Sequence, residues 1–361
     1  MDAISAFHVC RERVLCNLLM SKLLVGRLGG LDPARKRVVA CAVLFGLFVA
    51  VELVVLAATG QPARPVLAAA LLAALVASVC FYAVSWCYDY SLFQTQTVVE
   101  LSMVGEEVSS RLAAWLHRVA DVRAQAVTSL VLMSLVSGTI GVILRQGDVP
   151  ASYIPFLFAA ANVVALGMGQ PLFWALATPL VTARLLRLDP MQLGVYPLRP
   201  SQTPVLGAIS RVSSAFAIWD AAVVTLFLAG LFALPPSFVR AGVAYLLVLV
   251  LAGYLATAWT FLYPQFNLGR VVQHGKQNTG LKLLGECRRL SEGLERRDKA
   301  DLDRLALLNQ LSEVVIKSPN SVLSFGELRS VAVSVLTPTL LAIWRGVDWP
   351  GLLHRIGILL K

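Results

Sequence analysis

The chain returns repeatedly to uninterrupted apolar runs of about twenty residues, and their length restricts the fold more than any other feature. A bilayer core of roughly 30 Å is crossed by about 20 helical residues. Inside lipid each backbone amide must find its partner within the segment, so the runs read as helices. A transmembrane barrel would show alternating strands of about ten residues, and the sequence shows no such pattern. Composition points the same way. Of 361 residues, 57% are hydrophobic and 14% charged, against about 45–50% and about 25% in soluble domains.

Six runs are long enough to cross: 38–59, 66–88, 126–144, 153–186, 208–234 and 238–263. Lys and Arg are distributed unevenly around them. Residues 1–37, the loops after the second and fourth runs, and the stretch from Arg270 to Arg329 together hold twenty-five. The three alternate loops hold one each, Arg64, Arg145 and Arg240. Basic loops stay in the cytoplasm, so both ends are expected there, which needs an even number of crossings. The net charge of +10 is read as topology-fixing charge that also meets anionic lipid, not as a nucleic-acid surface. The expected fold is therefore all-α: a polytopic integral membrane protein with six transmembrane helices and cytoplasmic N- and C-termini. Its layout resembles that of bacterial inner-membrane proteins, which places it in the cytoplasmic membrane.

Four parts follow from this division. Residues 1–37 are not a signal peptide, because Arg11, Arg13, Lys22 and Arg27 interrupt the apolar residues. They read as an N-terminal amphipathic helix on the membrane surface. Residues 38–266 form the transmembrane domain. Residues 267–328 are expected to form a cytoplasmic helical hairpin. Leu281, Leu284, Leu290 and Leu294 mark one apolar stripe, Leu302, Leu305, Leu308, Leu311 and Val315 another, and "ERRDKAD" turns between them. Those stripes, over 277–317, need a cytoplasmic partner or a second copy to cover them. Residues 329–361 carry a short apolar core, 331–344, flanked by Trp344 and Trp349. That length suits an interfacial or re-entrant segment.

The run "FAIWDAAVVTLFLAGLF" holds one charge, Asp220, about twelve residues into the fifth span. A lone carboxylate at that depth costs at least about 2.5 kcal/mol unless paired or neutralised. Two readings stand: a proton or cation site, or a packing residue hydrogen-bonded to a neighbouring helix. Ser213 shares its helical face. Glu52, in the outer half of the first span, is the candidate second acid. The stretch "ANVVALGMGQPLFWALATPL" sets Asn162 and Gln170 among Gly167, Gly169, Pro171 and Pro179. Such a helix either bends or breaks and exposes carbonyls to a solute, or presents a small-residue packing face.

The six cysteines form no C-x-x-C pair and the four histidines no metal spacing, so no metal or cofactor is expected. H-E-x-x-H, G-x-S-x-G and phosphate-loop signatures are missing, and the chain is not read as an enzyme. The first functional expectation is a small channel or transporter for an ion, proton or small solute. Asp220, Glu52, Asn162, Gln170 and Ser213 would line its path, under control of the cytoplasmic hairpin. The alternative is a non-transporting scaffold or effector that works through that hairpin.

Overall fold

In a computed structural model of the chain, residues 14, 17–18, 32–60, 63–101, 121–146, 154–185, 187, 195–232, 236–291, 299–322 and 328–333 are described. Among them there is helix and no strand. Seven helices carry the fold: α1 (Pro33–Thr59), α2 (Ala63–Leu101), α3 (Val122–Gln146), α4 (Ile154–Leu185), α5 (Pro204–Phe232), α6 (Pro236–Ser291) and α7 (Lys299–Lys317). The first five each contain a stretch long and apolar enough to cross a membrane: Ala34–Thr59, Ala70–Ser91, Val122–Val142, Ile154–Leu180 and Pro204–Leu228. The sixth expected run lies within α6, and the side chains of its first half, 238–249, fall outside the described residues.

The helices pack as consecutive antiparallel hairpins. Arg37 of α1 pairs with Asp89 at one end of α2. Phe48 stacks near Phe81 with ring centroids 6.3 Å apart, and Leu56 packs among Ala70 and Ala73 at the other end. Residue numbers rise on one helix as they fall on the other. The same holds for α3 and α4, where Ser129 meets Gln170 and Ser137 meets Asn162. It holds again for α5 and α6, where Leu206 packs with Leu268, Ser210 with Gln265 and Ala217 with Phe261. Gly60 closes α1 in the left-handed conformation, φ 64°, and its N–H reaches the Ala57 carbonyl. Glycine alone holds that conformation without steric cost.

α2 lies at the centre, against α1, α4 and α5. Its inward residues, Ala74, Ala77, Phe81, Val84 and Cys87, anchor the main core with Phe48, Trp174 and Phe216. The outward faces are also apolar: Leu47 and Val54 on α1, Leu130 and Leu135 on α3, Leu255 and Leu262 on α6 are all exposed. Apolar residues both inside and outside a helix bundle are what lipid requires.

Three features depart from, or add to, what the sequence implies. Helical structure runs through both Pro171 and Pro179, so α4 is not broken in two. α6 does not stop near Tyr263 but continues for 56 residues through Pro264. The helix is thus unbroken across the 266/267 boundary, and the first arm of the expected hairpin is the extension of α6. It holds together because Leu268, Val271 and Val272 bury against Val205, Leu206 and Ile209 at the start of α5. α7 then folds back along it. Lys276 donates to the Ser318 carbonyl and, at 2.6 Å, to Asn320, while Val315 is buried. The stripe is only partly covered, since Leu281 and Leu284 stay about 70% exposed. Of the expected N-terminal amphipathic segment, Val14 is buried in the main core cluster, which also holds Val84, Cys87 and Tyr88, and Asn17 accepts a hydrogen bond from Ser85 at 2.8 Å. Apart from Val14, Asn17 and Leu18, residues 1–31 lie outside the described residues, as do Leu294 and, beyond Val333, the C-terminal segment.

Candidate functional site

α5 turns one narrow face of small and polar residues inward. Ser210, Ser213, Ser214, Ala217, Asp220 and Ala221 are all buried. They recur every three or four residues, so they share a side of the helix. Small residues let neighbouring backbones approach, and α5 packs on α2, α4 and α6. Asp220 is 7% exposed, and its Oδ2 has no hydrogen-bond partner among the described residues. Cys80 and Cys87 of α2 are both buried, Cys80 in one cluster with Val223 of α5. From α6, the Thr260 hydroxyl lies beside the carboxyl.

Thr260 is tied in turn to α4. Its Oγ1 is 3.0 Å from the Ala175 carbonyl and 2.9 Å from the Ala256 carbonyl of its own helix. The first contact has a cause in the sequence. Residue i donates to the carbonyl of i−4 in an α-helix, and Pro179 has no N–H to give Ala175. A buried carbonyl without a donor is costly, and Thr260 supplies the donor from another helix. One continuous polar contact therefore links the proline-interrupted backbone of α4, the hydroxyl of α6 and the carboxyl of α5.

The other sequence candidates are placed as follows. Glu52 lies on the packed stripe Ala40, Leu44, Phe48, Glu52, Leu56 of α1 and is fully buried. Both of its oxygens are without hydrogen-bond partners among the described residues. α1 packs on α2 and α4, whereas α5 packs on α2, α4 and α6. The two acids therefore stand on helices that share no extended interface. Asn162 bridges α4 to α3: it accepts from Ser137 at 3.0 Å and donates to the Phe158 carbonyl at 2.8 Å. Gln170, fully buried, donates to Ser129 at 2.9 Å and to the Gln125 carbonyl at 3.4 Å. Its Oε1 has no partner among the described residues. Ser213 donates to the Ile209 carbonyl of its own helix at 3.1 Å. Arg211 donates to Gln94 at 3.2 Å.

Sequence reasoning missed Thr260. Its signal was present but indirect. Pro179 announces a carbonyl in need of a donor, and only the α5–α6 hairpin register shows which hydroxyl can reach it.

No group of three or more metal-ligating side chains occurs among the described residues. Comparison with protein-family models, with curated proteins and with solved structures gives no match.

Proposed function

We propose that the chain is a six-span protein of the bacterial cytoplasmic membrane, with both ends in the cytoplasm, that moves an ion, proton or small solute across it. It is not an enzyme in this reading. One observation carries the proposal: a carboxylate near the middle of α5 is buried inside the bundle with one oxygen that has no hydrogen-bond partner among the described residues. Retaining such a group where it costs stability is the usual mark of a transport path. The six-span topology is supported by the twenty-five-to-three division of basic residues and by three helical hairpins. The hairpin of the α6 extension and α7 would answer to a cytoplasmic partner.

The test is flux through the full chain in proteoliposomes. Asp220→Asn keeps the volume and removes the charge. Flux of the transported species is expected to fall by about tenfold or more, which corresponds to a barrier higher by about 1.4 kcal/mol per factor of ten. Unchanged flux would remove Asp220 from the path.

A second reading has its own support. Leu281, Leu284, Leu302, Leu307 and Ile316 are exposed on the α6–α7 hairpin, more apolar surface than a solvated hairpin of this size needs. In that reading the protein is a scaffold or effector that recruits a partner or a second copy. Deleting 277–361 then abolishes function while Asp220→Asn is tolerated. The opposite pattern favours transport.

A further inference from the structure

We propose that an anionic phospholipid docks on the outward side of α2, with its phosphate on Arg211 and its acyl chains over a ladder of aromatic rings. The leaflet is the one at the Arg37–Asp89 end of the bundle, which is the cytoplasmic leaflet in the topology proposed above. The inference stands whether or not the chain transports.

The groove follows from how α2 is packed. α1, α4 and α5 cover three of its sides, and α1 and α5 share no extended interface. The side left open carries the exposed Leu71 and Leu75, then the half-buried Tyr82, Trp86 and Tyr90. Their spacing puts them on one face of the helix. α5 closes one edge. Trp219 meets Tyr82 edge-on with ring centroids 5.9 Å apart, and Trp86 at 6.0 Å. Trp86 in turn stacks on Tyr90 at 5.2 Å. The rings from 82 to 90 line about 12 Å of the helix axis. Trp and Tyr suit the depth at which acyl chains meet headgroups.

The head of the groove is built around one unbalanced charge. Trp86 lies level with Trp219 and Gln94 with Arg211, so two contacts fix one antiparallel register of α2 and α5. That register carries Arg211 one turn past Tyr90, to the headgroup end of the ladder. Gln94 is 6% exposed and accepts from the Arg211 Nη2 at 3.2 Å. A buried amide thus holds the guanidinium and brings no negative charge. Arg211 itself is exposed, and no ion pair to it occurs among the described residues. Asp89, the acid beside Tyr90, is engaged by Arg37. A guanidinium presents five donors in a fork that matches phosphate, and Gln94 takes one. Interfacial anchoring alone explains the rings, but not the buried amide beyond them that fixes an arginine. A phosphate above apolar chains fits both. A zwitterionic lipid adds an ammonium, which Arg211 repels.

The experiment uses the full chain in phosphatidylcholine vesicles with increasing fractions of phosphatidylglycerol. The acyl chains of the phosphatidylglycerol are brominated and quench nearby tryptophans. Quenching is expected to saturate at a low fraction, whereas brominated phosphatidylcholine should quench without saturating. Trp86→Phe with Trp219→Phe should remove the saturating component. Arg211→Gln should raise the half-saturating fraction about fivefold, the effect of one interfacial charge. Gln94→Leu keeps the charge but frees the guanidinium, and should raise it roughly threefold. Arg123→Gln removes an equal charge from an exposed position at the start of α3 and should change nothing. Melting curves of each variant separate lost binding from lost assembly, and Arg211→Lys, which keeps the charge without the fork, is the milder variant. An equal shift in Arg123→Gln and Arg211→Gln would mean diffuse attraction and no site. Saturation that survives both tryptophan replacements would place the lipid elsewhere. Equal saturation by both lipids would overturn the headgroup assignment. Quenching lost as the protein-to-lipid ratio rises would put a second copy in the groove instead of a lipid.

Discussion

Valine at both Gly167 and Gly169 should leave little correctly assembled protein. The two glycines, separated by Met168 on α4, face different neighbours. A Cβ at Gly167 would fall on the Cα and Cβ of Ala77 in α2, and a Cβ at Gly169 on Ser129 of α3. In both places backbone is met, and backbone cannot rotate aside as the end of a long side chain can. Overfilling a packed interior ordinarily costs about 1–3 kcal/mol per site. The pair would use up a large share of a total stability of about 5–15 kcal/mol. Because the sites lie two residues apart on one helix, the combined effect should exceed or fall short of the sum. Detergent-solubilised protein is expected to elute as aggregate in gel filtration, with the melting transition lost. The matched control is Gly138→Val with Gly141→Val on α3, where no atom of the described residues would lie within 4 Å of the added Cβ at either position. That variant should elute and melt like the parent. A double variant at 167 and 169 that also melts like the parent would mean α2, α3 and α4 are not packed this closely.

The same contacts show what could be read from the sequence. Run lengths placed α3, α4 and α5 to within about four residues at each end, because a span is set by the thickness of lipid. The fate of "ANVVALGMGQPLFWALATPL" was less legible. Glycine beside proline fits either an opened helix or a tight packing face, and only the neighbours decide. Ala77 and Ser129 occupy the space a side chain would need, while Asn162 and Gln170 bond to α3. The prolines still act, but through a partner helix: Ala175 is satisfied by a hydroxyl 85 residues away in the chain. Pro264 likewise does not end α6, because the residues after it bury against α5. Local rules name the broken hydrogen bond, and tertiary structure repairs it.

Glu52→Leu should raise the stability of the protein, which is the reverse of what a core substitution usually does. Glu52 sits in line with Leu44, Phe48 and Leu56, fully buried, with both carboxyl oxygens lacking hydrogen-bond partners among the described residues. A buried polar group without a hydrogen bond costs about 1–3 kcal/mol. Leucine matches the stripe, has similar volume and brings no polar atom to satisfy. The melting temperature is expected to rise by several degrees, from a gain of about 1–3 kcal/mol. Glu52→Gln keeps the polar demand and should change it little. Sites held against stability are the ones function retains, so the stabilised Leu variant should also lose flux if Glu52 belongs to the path. A gain in stability with flux intact would leave Glu52 outside it, next to α2 and α4 and apart from Asp220. A loss of stability would instead mean that the carboxylate has a partner whose bond the leucine breaks, and that Glu52 holds α1 to the bundle.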